Sequence, residues 1–327
     1  MYKTILVILG PERRTTAALH RGVELARRSG AKLYLCQLVH YPMVDIARER
    51  IDAELATMAQ REFMRAPREW LYAEGARLAD HGINVECDVL WAPVPYEAAL
   101  GKILEVSPDL VIKDADYDHG RVAHPERQTI DPRMLRTCPA PLMLVRPESA
   151  VIPRHLLGCV DVLSSEREAD SMNSRIVATA NGLGTLCEAQ VDMASAYSYV
   201  PIGGEEFGGG MAAMFDAIEA AHKAASEDFC TRQSIPGDHM HRILGDAVHA
   251  MASCVEQLNV DIAIVGAAYR SVWDRLLMGA TAEDLVRKLE CDVLVLKPQG
   301  FINELGRHIK LDELRERYAD QQNLTPA

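Results

Sequence analysis

The 327 residues are 48% apolar and 25% charged, and 47 acidic against 35 basic side chains leave a formal net charge of −12. That composition belongs to globular proteins with room for two cores. The acidic excess argues against a general binder of nucleic acid or of anionic membrane, because attraction to phosphate needs a basic face.

Met1 to Gly10 lacks the small-residue cleavage site of a signal peptide, and no apolar run reaches the roughly 18 to 20 residues needed to span a bilayer. Eight cysteines, with no Cys-x-x-Cys pair, stand far apart. Such spacing suits reduced, buried thiols in a cytoplasmic protein better than a disulfide framework or a zinc cage.

In chain order, short apolar runs alternate with helical stretches. The first half offers strands at Thr4–Ile8, Lys32–Val39, Asn84–Leu90, Asp109–Ile112 and Pro141–Val145. Its helices are expected at Thr15–Arg28, Val44–His81 with a break at Pro67, Pro95–Glu105 and Pro132–Arg136. The second half offers strands near Leu156–Val162, Leu186–Ala194, His241–Leu244, Asp261–Val265 and Asp292–Leu296. Both halves carry a long insertion between the second and third strands. In the second half it begins with a glycine-rich stretch, Gly203 to Gly210, expected to be a mobile loop rather than a phosphate cradle. A helix at Lys310–Arg317 is expected on the sheet edge, followed by a disordered end, Asp320–Ala327.

The chain also repeats itself. Asp109-Leu-Val-Ile-Lys-Asp-Ala-Asp-Tyr117 reads like Asp261-Ile-Ala-Ile-Val-Gly-Ala-Ala-Tyr269, and Leu135–Pro147 aligns with Val286–Pro298. A period of about 150 residues is the size of a whole domain. The expectation is two α/β domains, 1–150 and 151–300, each a doubly wound sheet of five parallel strands, followed by a charged tail, 301–327.

Val265-Gly266, then Gly279-Ala-Thr-Ala-Glu283, then Cys291-Asp-Val-Leu-Val-Leu-Lys-Pro298 resemble the last third of a universal stress protein domain. The likeness covers about residues 1–300, and two such domains in one chain resemble the tandem members of that family. The resemblance implies an adenine-nucleotide alpha hydrolase-like fold, and halves that pair as a pseudo-dimer. It also implies, for many members, ATP held by Gly-x2-Gly-x9-Gly-(Ser/Thr) after the fourth strand. Glycines there let main chain approach phosphates, while helix-start amides and a hydroxyl donate to the oxygens.

Carried over residue by residue, Gly266 and Gly279 hold the first and third glycine positions, Tyr269 the second, and Ala280 the hydroxyl position, with Thr281 as a partial substitute. Asp161 matches the carboxylate that contacts adenosine, Ala194 the backbone contact on the second strand, and Val162 and Val265 adjoin them. Tyr269 and Ala280 depart from the pattern. ATP or another adenine nucleotide with magnesium, and an empty pocket, are therefore the open alternatives for the second half. In the first half the corresponding positions read Lys113, Asp114 and Tyr117, with no Gly-(Ser/Thr) pair and no aspartate after the first strand. No ATP is expected there, since a carboxylate repels pyrophosphate.

Asp114, Asp116, Asp118 and His119 begin like a calcium loop, but His119 and Pro125 stand where an EF-hand wants Gly and Glu, so a solvated acidic loop is preferred. His239 and His241 could grip zinc with His222 or Cys230, yet nothing in the spacing enforces it, and exposed polar residues at a strand start are the preferred account. His40 with Cys36 or His20 makes no nucleophile elbow, and Trp91 and Trp273 are read as packing or as pocket and partner contacts.

The reading is a non-catalytic, cytoplasmic stress-response regulatory or scaffolding protein with at most one degenerate nucleotide site. The alternatives are an ATP-binding switch or slow ATPase, and a small-ligand or metal carrier that uses the second-half cleft beside Tyr269. Expected partners are the two halves for one another, a second copy and an unidentified protein, with neither nucleic acid nor membrane among them.

Overall fold

The computed structural model describes residues 2–118, 121–122, 129–164, 167–198, 210–267, 280–306 and 309–319. The chain divides into two compact units, Met1–Ile152 with Gly300–Ala327, and Pro153–Gln299.

In the first unit the order is β1 (Thr4–Leu9), α1 (Ala17–Ser29), β2 (Lys32–Val39), α2 (Pro42–Arg50), α3 (Ala53–Asp80), β3 (Val85–Trp91) and α4 (Pro95–Val106). Then come β4 (Leu110–Asp114), the two-residue β5 (Tyr117–Asp118) and β6 (Arg121–Val122), α5 (Asp131–Thr137) and β7 (Leu142–Val145). The main sheet runs β7-β4-β1-β2-β3 with every neighbour parallel. β1, Thr-Ile-Leu-Val-Ile-Leu, is buried from Ile5 to Leu9. Helices cover both faces of such a sheet, so its strands carry unbroken apolar runs rather than alternation.

The second unit repeats this plan with β8 (His155–Cys159), α6 (Arg167–Cys187), β9 (Gln190–Tyr197), α7 (Gly210–Gln233), a short 3-10 turn at Gly237–His239 and β10 (Met240–Leu244). α8 (Ala247–Leu258), β11 (Ile262–Gly266), α9 (Ala280–Lys288) and β12 (Asp292–Leu296) complete it. Its strands stand in the order β10-β9-β8-β11-β12, all parallel. In both units the third, second, first, fourth and fifth main strands follow one another, so each is a doubly wound α/β domain whose strand order reverses beside the first strand.

Three elements differ from the sequence expectation. The long helical stretch breaks at Ile51–Asp52 and not at Pro67, because Asp52 caps α3 by accepting from the amides of Glu54 and Leu55, both at 2.8 Å. Pro67 lies inside α3 and is buried there. A proline costs a helix interior roughly 3 kcal/mol. Ending α3 at Pro67 would withdraw the buried Leu71 and Leu78 further along.

The second strand of the second unit starts later than expected. α6 keeps Leu186 and Cys187, and Glu188 then turns the chain at φ 58° before Gln190.

The C-terminal segment belongs to the first unit, where α10 (Phe301–Leu305) precedes α11 (Leu311–Ala319). α11 packs on α4 rather than on a sheet edge, with Leu314 and Tyr318 buried. The glycine stretch at 203–209 and the end of the chain, 320–327, lie outside the described residues.

Candidate functional site

In the second unit the carboxyl ends of neighbouring strands bring part of the expected site together. β8 and β11 pair Cys159 with Val265, and β8 and β9 pair Cys159 with Ala194. Asp161 follows the end of β8, and Gly266 closes β11.

Asn173 of α6 clamps the backbone of Asp161, accepting from its amide at 3.0 Å and donating to its carbonyl at 2.6 Å. Oδ1 of the Asp161 carboxylate accepts from the amides of Leu163 and Ser164, each at 3.2 Å. That oxygen thus holds its own turn, the usual work of an aspartate after a strand. Val162 sits half-buried beside it. Ala194 is buried inside β9, and its carbonyl accepts from Val160 at 2.9 Å. Ala280 and Thr281 open α9. Tyr269, Trp273 and Gly279, with the side chains of Ala280 and Thr281, lie outside the described residues.

In the first unit a cleft of about 360 Å³ lies at the carboxyl ends of β1, β2, β3 and β4, where an open α/β sheet offers its ligand crevice. Leu9, Pro11, Val39 and Pro93 give it apolar walls, and Lys113, Asp114 and Asp116 line its polar side. These carboxylates are buried and paired, which corrects the expectation of a solvated acidic loop.

Asp114 accepts from the amide of Ala18 at the start of α1, at 3.1 Å. The Lys113 ammonium spends three donors on the Asp114 carbonyl at 2.6 Å, Asp116 Oδ1 at 2.8 Å and Asp131 Oδ1 at 2.5 Å. Asp116 Oδ2 accepts from the amides of Ile130 and Asp131, and Asp131 Oδ2 from the amide of Asp116. The network ties the end of β4 to the start of α5. Asp114 and Asp116 turn to different donors, so they do not converge on a calcium ion. Asp118 has no described side chain, and His119 lies outside the described residues.

The pKa shifts follow from burial and pairing. Burial pushes Asp131 up to about 6, although Lys113 opposes it. Asp116, also desolvated, is held below the usual carboxylate range by Lys113 and the two amides. Lys113 stays protonated, because the two carboxylates outweigh its desolvation.

Among the described residues no activated nucleophile stands in these surroundings. Cys36 is fully buried, and desolvation drives its thiol well up. His40 pairs with Asp45 at 2.5 Å and meets buried Trp91 edge-on at 5.6 Å between ring centres. His222 is buried, stacked on Tyr197 and 3.0 Å from Ser195 Oγ, with its imidazole pKa lowered by burial. It is therefore no partner of His239 and His241. Those two meet His155 and Asp192 instead, a convergence that the spacing of two did not reveal. His239 and His241 are half-buried against that carboxylate, not exposed. Among the described residues no helix is long and apolar enough to cross a membrane.

The chain is similar to several known proteins. Universal stress protein E of Escherichia coli K12 is 25% identical over 309 residues, 92% of this chain and 96% of that protein. A Universal stress protein E homolog of Haemophilus influenzae is 24% identical over 307 residues, 91% of this chain and 98% of that one. Two crystal structures from Pseudomonas aeruginosa share the fold. A functionally unknown protein of strain PAO1 has a TM-score of 0.72 at 22% identity, over 95% of this chain and 98% of its own. A putative universal stress protein of strain UCBPP-PA14 has a TM-score of 0.70 at 22% identity, over 94% and 97%. The model of the universal stress protein family matches residues 1–114 and 194–297, and with both units doubly wound as that likeness implies, the chain belongs to the universal stress protein family.

Proposed function

We propose that this chain is a stress-response regulatory or scaffolding protein of the universal stress protein type rather than an enzyme, with at most one nucleotide site, in its second unit. The observation that carries this reading is the closure of β4 in the first unit. Lys113, Asp116 and Asp131 form a buried, mutually satisfied network where a phosphate loop needs open amides. The names of the relatives agree with a role in stress response.

If the second unit keeps a site, its ligand would be an adenine nucleotide with magnesium. It would lie against Asp161, Val162, Ala194, Val265 and Gly266, and the stretch bearing Tyr269, Gly279, Ala280 and Thr281 would hold its phosphates. The adjacency of Asp161 and Gly266 at neighbouring strand ends supports this. The Met172 side chain against Gly266 weighs the other way.

Calorimetric titration of nucleotide-free chain with Mg-ATP, beside Asp161→Ala and Tyr269→Gly, separates the cases. Micromolar binding lost in Asp161→Ala would replace the scaffold reading by a nucleotide switch. No binding by the parent, with or without recovery in Tyr269→Gly, is the result expected of a scaffold.

A carrier of small ligands is the second reading, favoured by the apolar cleft of the first unit. An apolar molecule bearing a hydrogen-bond donor or a positive charge suits walls of Leu9, Val39 and Pro93 with Asp114 and Asp116 beside them. Native mass spectrometry of chain purified without detergent checks it, the expected sign being a stoichiometric bound mass released on denaturation.

A further inference from the structure

Apolar side chains stand in water along α2 and α3 of the first unit. Among the described residues thirteen large apolar side chains are exposed, and eight of them fall between Tyr41 and Tyr72. Soluble monomers scatter such residues singly, whereas a gathering of them marks a contact surface.

α2 and α3 pack on each other, with Arg48 bonded to Gln60 and the Tyr41 and Phe63 rings stacked at 4.5 Å between centres. α3 buries Ala56, Met64, Leu71 and Leu78 within its own unit. Leu55 and Met58, one turn apart on the same helix, remain 56% and 65% exposed. Ile51 just before α3, and Met43 and Ile46 on α2, are more than half exposed as well. Flexible methionines suit a surface that moulds itself to a partner.

The charges of α3 say which partner fits. Ion pairs close within the helix at Glu62 with Arg65 and at Glu74 with Arg77. Glu54 and Arg61 are exposed, and among the described residues neither side chain has an ion-pair partner. They stand seven positions apart, two helical turns, and Met58 lies between them on the same stripe. A second α3 running antiparallel, related by a two-fold axis beside Met58, sets Glu54 against Arg61 of the second copy and Arg61 against its Glu54. Each copy then supplies the complement of the other, as a two-fold contact requires. The wider charge balance favours the same partner. Residues 41–72 carry six acidic and five basic side chains in a chain whose net charge is −12. Two copies therefore repel each other over the rest of their surfaces and least over this one.

We propose that two copies of this chain associate antiparallel through α3, with Leu55 and Met58 at the centre and reciprocal Glu54 to Arg61 pairs at the rim. An apolar centre inside a polar rim is the usual anatomy of a protein interface. The association does not depend on a ligand in either unit.

Sedimentation velocity of untagged full-length chain over about 1 to 100 μM should show a mass that rises to twice that of the chain. Met58→Glu places like charges on the axis and should weaken association by about a hundredfold or more. Glu54→Arg and Arg61→Glu should each weaken it by about tenfold, and the double variant, which exchanges the charges, should return to within about threefold of the parent. All three positions are exposed in the single chain, so dilute samples of every variant should melt close to the parent. A parent that stays monomeric throughout would overturn the proposal and leave this face to a partner of another kind. Association untouched by Met58→Glu or by the single charge variants, or lost in those singles without recovery in the double, would overturn it equally.

Discussion

Met172 fills the space that a side chain on Gly266 would need. A Cβ built on Gly266 stands 2.9 Å from Met172 Sδ and 3.5 Å from Ile176 Cδ1, and overlaps Met172 Cγ. The first glycine of the apparent nucleotide motif is therefore required by the seating of α6 on β11, whether or not a phosphate approaches. Gly266→Ala should cost about 1–3 kcal/mol, the range for an overpacked core. Met172→Ala in the same chain should return part of that cost. A double-mutant cycle in urea checks it, and additive losses would sink the packing account.

Asp131 makes the first unit sensitive to pH. Its folded-state pKa of about 6 lies above the ordinary 3.8, so the protonated form favours folding. That stability is fully present below about pH 4 and is lost as pH rises through about 6. Asp116, whose pKa is depressed, works the other way and loses its contribution only as pH falls below the ordinary carboxylate range. The stability of Asp131→Asn minus that of the parent should thus grow between about pH 4 and 6 and then level off. Urea midpoints across that range measure it, and a flat difference would show that the carboxyl ionises freely.

The C-terminal helix is held by shape more than by charge. At Gly101 on α4 a Cβ would meet the Tyr318 ring and Cβ at 3.0 and 3.1 Å and the Leu314 carbonyl at 3.2 Å, so α11 lies almost backbone to backbone on α4. Tyr318→Ala should cost about 3 kcal/mol, as for other buried aromatics. Arg317 and Glu97 pair at 2.9 Å with the arginine 58% exposed, and Arg317→Ala should change stability by less than about 0.5 kcal/mol. Hydrogen exchange along α11 would register the first change and not the second.

Arg21 fastens the segment at the end of the first unit. Its buried guanidinium donates through Nε to the Val151 carbonyl at 2.9 Å and through Nη2 to the Ala150 carbonyl at 2.5 Å. Lysine offers no such fork. In Arg21→Lys, tryptic cleavage after Arg154 should therefore quicken severalfold. Equal rates in parent and variant would mean that other contacts hold the segment.

Some features were legible because they depend on local pattern. β2 and β12 run as expected, and the other main strands lie within a few residues, since a strand buried on both faces writes itself as an unbroken apolar run. Asp52 carries a local capping signal, whereas the break was expected at Pro67. A proline penalty is local and fixed, whereas the burial it competes with is tertiary. At the proposed nucleotide position the residue types of Asp161 and Gly266 were readable. Their engagements with the Leu163 and Ser164 amides and with Met172 were not.

By itself the sequence determined two α/β repeats and their strand runs, because apolar periodicity and internal similarity are properties of neighbours along the chain. Only the tertiary structure decided which charges find partners. Lys113 reaches Asp131 across 18 positions, and His155 reaches Asp192 across 37. Parallel strands joined by crossover helices bring together residues far apart in the chain, and no spacing rule connects the ends of such a path. Whether a carboxylate is solvated or paired depends on those distant neighbours and on the low dielectric they create.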